Sequence, residues 1–271
     1  MAIDISGGII LAGGGKMGGA LLAGWLDSGV PADRIYVVEP DPGAADRVAK
    51  LGVTVGADAS DLPQNAAIVI FAVKPQIMDA VAPLYAPLAG GDTVFLSIAA
   101  GCAIALFERH LGAVPVVRAM PNTPAAIGLG ISVACANGQV GAAQKKRCHM
   151  LLEAVGEVAW ITDEAGMDAV TAVSGSGPAY VFLLIESLAA AGVDAGMAPD
   201  LALRLARATV RGAGELASRS AEPPSRLRAN VTSPGGTTAA ALDVLMAEDG
   251  LGPLMRRAVA AATRRSRELA G

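Results

Sequence analysis

The segment Gly8-Ile9-Ile10-Leu11-Ala12-Gly13-Gly14-Gly15-Lys16-Met17-Gly18 restricts the fold of this chain more than any other. A short apolar run of strand type enters the pattern G-x-G-x-x-G, and the amphipathic stretch Gly19–Leu26 leaves it. A strand, a glycine turn and a helix in that order expose backbone N–H groups at a helix N-terminus, where the helix dipole also favours an anion. Gly13 permits the tight turn, Gly15 lets backbone approach a pyrophosphate, and Gly18 lets the helix pack closely on the sheet. Lys16 and Met17 lie between them and belong to the same candidate site. Alone, the glycine pattern is weak evidence. Its support comes from a second strand, Arg34-Ile35-Tyr36-Val37-Val38-Glu39, which ends in a carboxylate about 20 residues on, where a dinucleotide-binding unit requires one.

Glu39 bears on the choice of dinucleotide. A carboxylate at that strand end accepts hydrogen bonds from ribose hydroxyls and repels an added phosphate. The following residues, Pro40-Asp41-Pro42, include no arginine. The expected cofactor is therefore NADPH or NADH, with Glu39 leaning towards NADH.

Further apolar runs, Ala67–Val73, Thr93–Ile98 and Pro115–Met120, alternate with helical stretches up to residue 162. That alternation predicts a Rossmann-type, doubly wound parallel sheet, with Gly130–Cys135 and Val158–Ile161 as further strands closing it. After residue 162 the composition turns to long alanine- and leucine-rich segments, with helices expected near 165–173, 178–192, 199–218, 238–248 and 251–268. The expected fold is α/β, with a dinucleotide-binding domain over 1–162 and an all-α domain over 163–271.

Ligands of open parallel sheets bind beyond the carboxyl ends of the strands. Ala72-Val73-Lys74-Pro75 ends one strand, so Lys74 is a candidate for the cofactor phosphates or ribose, its turn fixed by Pro75. Ala99 and Ala100 end the next, leaving room for a flat ring. Met120-Pro121-Asn122-Thr123-Pro124 makes a rigid loop after a third, with a structural role at least as well supported as a catalytic one. Far along the chain, Val231-Thr232-Ser233-Pro234-Gly235-Gly236-Thr237-Thr238 opens directly into Ala239-Ala240-Ala241-Leu242. This turn places hydroxyls and free N–H groups at a helix start, a receptor for a small carboxylate.

Composition excludes other classes. The 271 residues carry a net charge of −4, which offers no basic face to nucleic acid or an anionic membrane. Apolar runs such as 66–73 are strand-length, so no membrane span is expected. The first residues lack a basic segment and cleavage site, so no signal peptide is expected. Cys102, Cys135 and Cys148 have neither metal-ligand spacing nor an even count; reduced, buried thiols in a cytoplasmic protein, with no bound metal, are expected.

Four motifs in register, Ala72–Gln76, Met120–Pro124, Ala172-Val173-Ser174-Gly175-Ser176-Gly177-Pro178-Ala179-Tyr180 and Val231–Thr238, resemble the pyrroline-5-carboxylate reductases over essentially the whole chain. The resemblance implies reduction of 1-pyrroline-5-carboxylate to L-proline by NAD(P)H, and a helical domain that forms a homodimer, often built into larger rings such as a decamer. It further implies that Ser233, Gly236, Thr237 and Thr238 hold the substrate carboxylate and ring nitrogen, with Thr238 as the catalytic hydroxyl. Asn230 and Glu164 would border the same site, while Lys74, Ala99 and Ala100 would meet the cofactor. The sequence departs from the family at Gly56-Ala57-Asp58-Ala59, which lacks a customary Asn, and at Ala229, where many members carry Asp.

The chemistry agrees with the inventory. Hydride addition to a protonated C=N bond needs positioning and a hydrogen-bonding hydroxyl more than a strong acid. All five lysines precede residue 147, and both histidines, His110 and His149, fall outside every motif. That disfavours dehydrogenases that rely on a helical-domain lysine or on a His–Asp pair. Reduction of another small cyclic imine, or a catalytically silent paralogue sensing dinucleotide or proline, remain the alternatives.

Overall fold

The computed structural model describes residues 7–270, which fall into two compact units, one holding residues up to Gly175 together with the segment from Thr263, the other Ser176–Ala262. The first unit contains β1 (Gly8–Ala12), α1 (Lys16–Asp27), β2 (Ile35–Val38), α2 (Pro42–Ala49), β3 (Thr54–Gly56), β4 (Ala66–Phe71), the short α3 (Met78–Val81), β5 (Val94–Ser97), α4 (Ile104–Leu111), β6 (Val116–Met120), β7 (Gly130–Ala136), α5 (Ala142–Glu153), β8 (Gly156–Trp160) and the short α6 (Met167–Val170). The eight strands form one sheet in the order β3-β2-β1-β4-β5-β6-β7-β8.

The first six strands are parallel, as the alternating pattern requires, while β7 runs antiparallel to β6 and β8 parallel to β7. The reason is length. Residues 121–129 between β6 and β7 are too few for a helical crossover, so the chain can only turn back on itself.

Strand periodicity sorts the core into two layers. Ile9, Leu11, Ile68, Ile70 and Leu96 face one side and pack with Leu21, Leu22 and Trp25 of α1 and Leu151 and Leu152 of α5. Ile10, Val69, Phe71 and Phe95 face the other and pack with Met78, Tyr85 and Phe107. The Trp25 indole donates to the Leu151 carbonyl at 2.8 Å, which ties α1 to α5 without leaving a buried N–H unpaired. Phe71 anchors the other layer, with ring centroids 5.1 Å from Tyr85 (edge-on) and 5.0 Å from Phe107.

The second unit is helical: α7 (Gly177–Asp194), α8 (Pro199–Arg219), α9 (Pro224–Asn230), α10 (Thr237–Leu245) and most of α11 (Leu251–Ala270), whose last residues belong to the first unit. There Ser266 donates to Asp168 at 2.7 Å, fastening the end of α11 beside α6. Between α6 and α7 the helix widens into a π turn over Thr171–Gly175, and the Thr171 and Ser174 hydroxyls donate back to the Met167 and Val170 carbonyls. The expected helix at 165–173 is thus three short pieces, a 3₁₀ turn, α6 and the π turn. The short α9 had no counterpart in the sequence reading, whereas α7, α8, α10 and α11 fall within a few residues of their expected spans.

The second unit lacks a core of its own. Among its described residues only Ala202 and Ala206 of α8 are buried, while Phe182, Leu183, Leu184, Val244 and Met246 are all more than half exposed. The helical run Glu164–Asp194 is long and apolar enough, by length and composition, to cross a membrane; its most apolar window has a mean hydropathy of 1.4 and none of it is buried. Asp168, the segment Ser174-Gly175-Ser176-Gly177-Pro178 and Glu186 interrupt this stretch, so the sequence shows no uninterrupted apolar run there of membrane-spanning length. Exposed apolar surface on this scale marks an interaction face. Light scattering is expected to return an integer multiple, two or greater, of the 27.0 kDa chain mass. A folded monomer at micromolar concentration would contradict this.

Candidate active site

The glycine turn stands where β1, β2 and β4 end. Gly13 adopts φ +102° and donates to the Val38 carbonyl at 2.9 Å. A Cβ on Gly13 would come within 3.0 Å of the Ala72 backbone and 3.1 Å of Val73, so these three residues form one contact at the strand ends. A Cβ on Gly18 would collide with the Gly13 carbonyl oxygen, so α1 can sit on the turn only with glycine there. Around Gly15, by contrast, a Cβ would meet nothing within 4 Å. The N-terminus of α1 has, among the described residues, no side-chain cap and no acidic residue in its first turn. Open space above uncapped N–H groups fits a pyrophosphate. Lys16 is exposed and Met17 is half-buried against the core.

Glu39 is only 9% exposed. Its Oε2 accepts from the Gly14 N–H at 2.7 Å and its Oε1 from the Asp41 N–H at 3.0 Å. The carboxylate therefore clamps the glycine turn from the end of β2. This backbone role was not foreseen from the sequence. Beyond β4, Lys74 is exposed and precedes a 3₁₀ turn begun by Pro75. Beyond β5, Ala99 is buried and Ala100 exposed, with the Ala99 N–H donating to the Ser97 hydroxyl at 3.3 Å. Asn122 is structural: its side-chain oxygen accepts from the Ile131 N–H at 2.9 Å and holds the loop to β7.

Glu164 has fixed partners. Its Oε1 accepts from the first N–H of α4, at Ile104, at 2.9 Å and from the Arg118 guanidinium at 2.8 Å. Arg118 sits in an otherwise apolar strand with its side chain 7% exposed. A lone arginine inside a buried strand must find a carboxylate, and that was the available sequence signal for this pair. Burial pushes the Cys102 thiol up, the Cys135 thiol to about 11 and the Cys148 thiol to about 12, so all three stay protonated and inert as nucleophiles. His110 faces Asp79 at 2.8 Å and His149 accepts from the Trp160 indole at 3.3 Å, so both rings are engaged away from the glycine turn.

In the second unit the loop after α9 is built for a helix start. Asn230 ends α9 and is exposed. The Gly236 N–H donates to the Ser233 carbonyl at 3.1 Å, Gly235 takes φ +69°, and α10 begins at Thr237. Among the described residues this helix end has no side-chain cap and no acid in its first turn. Ser233, Gly236, Thr237 and Thr238 thus gather on one turn, with Ser233 and Thr237 exposed and Thr238 half-buried. Such an end is a receptor for a carboxylate flanked by hydroxyl donors.

A sheet whose first six strands follow the order 3-2-1-4-5-6, with a glycine turn, an acidic strand end and a helical second unit, defines a dinucleotide-dependent oxidoreductase. Residues 164–269 match the profile described as "Pyrroline-5-carboxylate reductase dimerisation", and residues 8–101 match "NADP oxidoreductase coenzyme F420-dependent". A pyrroline-5-carboxylate reductase of Pseudomonas aeruginosa is 44% identical over 266 residues, 97% of this chain and 96% of that one. The solved pyrroline-5-carboxylate reductase of Coxiella burnetii superposes with a TM-score of 0.94 at 34% identity, covering 98% of this chain and all of that one. The Plasmodium falciparum pyrroline carboxylate reductase, solved with NADP bound, gives 0.83 at 30% identity over 97% of this chain and 98% of that one. The chain belongs to the pyrroline-5-carboxylate reductase family.

The Glu39 clamp predicts a stability effect independent of turnover. Glu39→Ala leaves the buried Gly14 N–H without its acceptor and is expected to lower the unfolding free energy by about 1–3 kcal/mol. Denaturant titration checks this; an unchanged midpoint and slope would show that the clamp contributes nothing.

Proposed function

We propose that this protein reduces the C=N bond of 1-pyrroline-5-carboxylate with NAD(P)H, giving L-proline, the last step of proline biosynthesis. The observation that carries this reading is the start of α10, an acid-free helix N-terminus preceded by Ser233 and bearing Thr237 and Thr238. The backbone N–H groups of Thr237 and Thr238 and the Ser233 hydroxyl hold the substrate carboxylate above the Gly236 turn, and Asn230 borders it. Thr238 hydrogen-bonds the ring nitrogen and orients the imine carbon. The nitrogen is already protonated, so the site needs no strong acid, consistent with a segment after residue 147 that contains no lysine.

Bound NAD(P)H supplies the hydride. Gly13, Gly15, Lys16, Met17 and Gly18 receive its pyrophosphate, Glu39 stands at the adenosine ribose, and Ala72, Val73, Lys74 and Pro75 line the strand end beside them. Ala99 and Ala100 leave room for the nicotinamide. The negative charge at Glu39 disfavours an added ribose phosphate, so NADH is the preferred coenzyme. Residues 1–162 serve as the dinucleotide-binding domain and 163–271 as the substrate-binding and dimerisation domain. The exposed apolar helices are the contact between two copies, and further copies assemble into a larger ring such as a decamer. We read the apolar run 164–194 as part of that contact, not as a membrane span, and place the enzyme in the cytoplasm, where three free thiols persist. An acidic chain has no face for nucleic acid.

Cofactor oxidation by purified protein, with 1-pyrroline-5-carboxylate as substrate and proline identified as product, tests the reading. Turnover faster with NADH than with NADPH is expected, and Glu39→Ala should narrow that ratio. Thr238→Ala should lower kcat about 100-fold, the scale of removing one preorganised donor, while leaving coenzyme affinity within twofold. Dinucleotide binding without turnover of this imine would move the assignment to another cyclic imine or to a silent sensor.

A further inference from the structure

We infer that Glu164 is a positioning residue for the nicotinamide-side loop, acting through Arg118 and the N-terminus of α4 and making no contact with substrate. The inference rests on the reading of Ala99 and Ala100 as the nicotinamide contact. That loop, residues 98–103, joins β5 to α4 and has few bonds of its own: Ile98 N–H to the Phe71 carbonyl at 3.0 Å and Cys102 N–H to the Ala99 carbonyl at 3.4 Å. Its two ends are fastened by side chains. At the start, the fully buried Ser97 hydroxyl accepts from the Ala99 N–H at 3.3 Å. At the finish, Glu164 Oε1 accepts from the Ile104 N–H at 2.9 Å, which fixes where α4 begins.

The same oxygen takes the Arg118 Nη1 hydrogen at 2.8 Å. Arg118 lies directly opposite Ser97 in the register of β5 and β6. One buried cation therefore stands beside the first fastening and aims the second. Oε1 of Glu164 is already shared between a guanidinium and a backbone N–H, and turning it towards a ligand would strand the buried charge of Arg118. A residue held this way serves the loop it ties down. Glu164 is also the first residue of the segment that matches the dimerisation profile, so the tie links the start of that segment to the cofactor loop.

The test measures NADH affinity by fluorescence titration in the absence of imine, alongside kinetics and melting. Glu164→Ala is expected to raise the NADH Kd roughly tenfold, the order of coupling through a packed polar network, with the imine KM within twofold of wild type. Glu164→Gln keeps an acceptor for the Ile104 N–H without the charge and should raise the Kd about threefold. Ser97→Ala, which loosens the other end of the loop, should shift it in the same direction. An unchanged Kd in both Glu164 variants with a raised imine KM would place Glu164 on the substrate and overturn the inference. An unchanged Kd with only a lower melting temperature would reduce the pair to a structural bond. Because the titration needs no turnover, wild-type protein that binds NADH but reduces no imine would count against the reaction and leave this test standing.

Discussion

The missing side chain at Gly18 is the contact on which the functional end of the sheet depends. Its Cα hydrogen faces the Gly13 carbonyl, and any larger group there would lift α1 off the turn. With α1 seated, its uncapped N–H groups point out beyond β1, and Ala72 and Val73 come against Gly13 from β4. Glu39 then closes the turn from the β2 side through the Gly14 N–H. A purely steric allowance at one residue thus fixes the end of one helix, two strand ends and a buried carboxylate together. The electrostatic consequence is a helix terminus with an open position for an anion over Gly15.

The second unit obeys the opposite rule. Its helices leave Phe182, Leu183, Val244 and Met246 exposed and bury only two alanines in α8. Alanine-rich helices pack closely but bring little apolar area, so a unit of this size gains too little from its own contacts to be stable by itself. The match to a dimerisation profile over residues 164–269 accounts for that surface.

Much of this was legible in the sequence because the determinants are local. Strands β1, β2 and β4 are apolar runs, and β5 and β6 are so apart from Ser97 and Arg118, a pattern that suits a covered parallel sheet, and Gly13, Gly15 and Gly18 carry their geometry in their spacing. The helix start at Gly236–Thr237 was equally plain, since a glycine turn before an alanine run has few alternatives. What escaped is not carried by the apolar pattern. The reversal of β7 follows from the brevity of residues 121–129, and the π turn over Thr171–Gly175 from hydroxyls that bond back to the helix. The dual grip of Glu164 on Arg118 and Ile104 spans sequence separations of 46 and 60, beyond the reach of any local pattern. The resemblance pointed to Glu164 as a site residue; only the folded chain gives it partners.

The reaction proposed for this family member is a direct hydride transfer from NAD(P)H to an imine carbon. Isotope tracing tests it most directly. With NAD(P)H deuterated at nicotinamide C4 on the transferred face, one deuterium per turnover is predicted in proline, at the ring carbon bonded to nitrogen and distal to the carboxylate. Proline that instead carries hydrogen from solvent at that carbon would contradict the account.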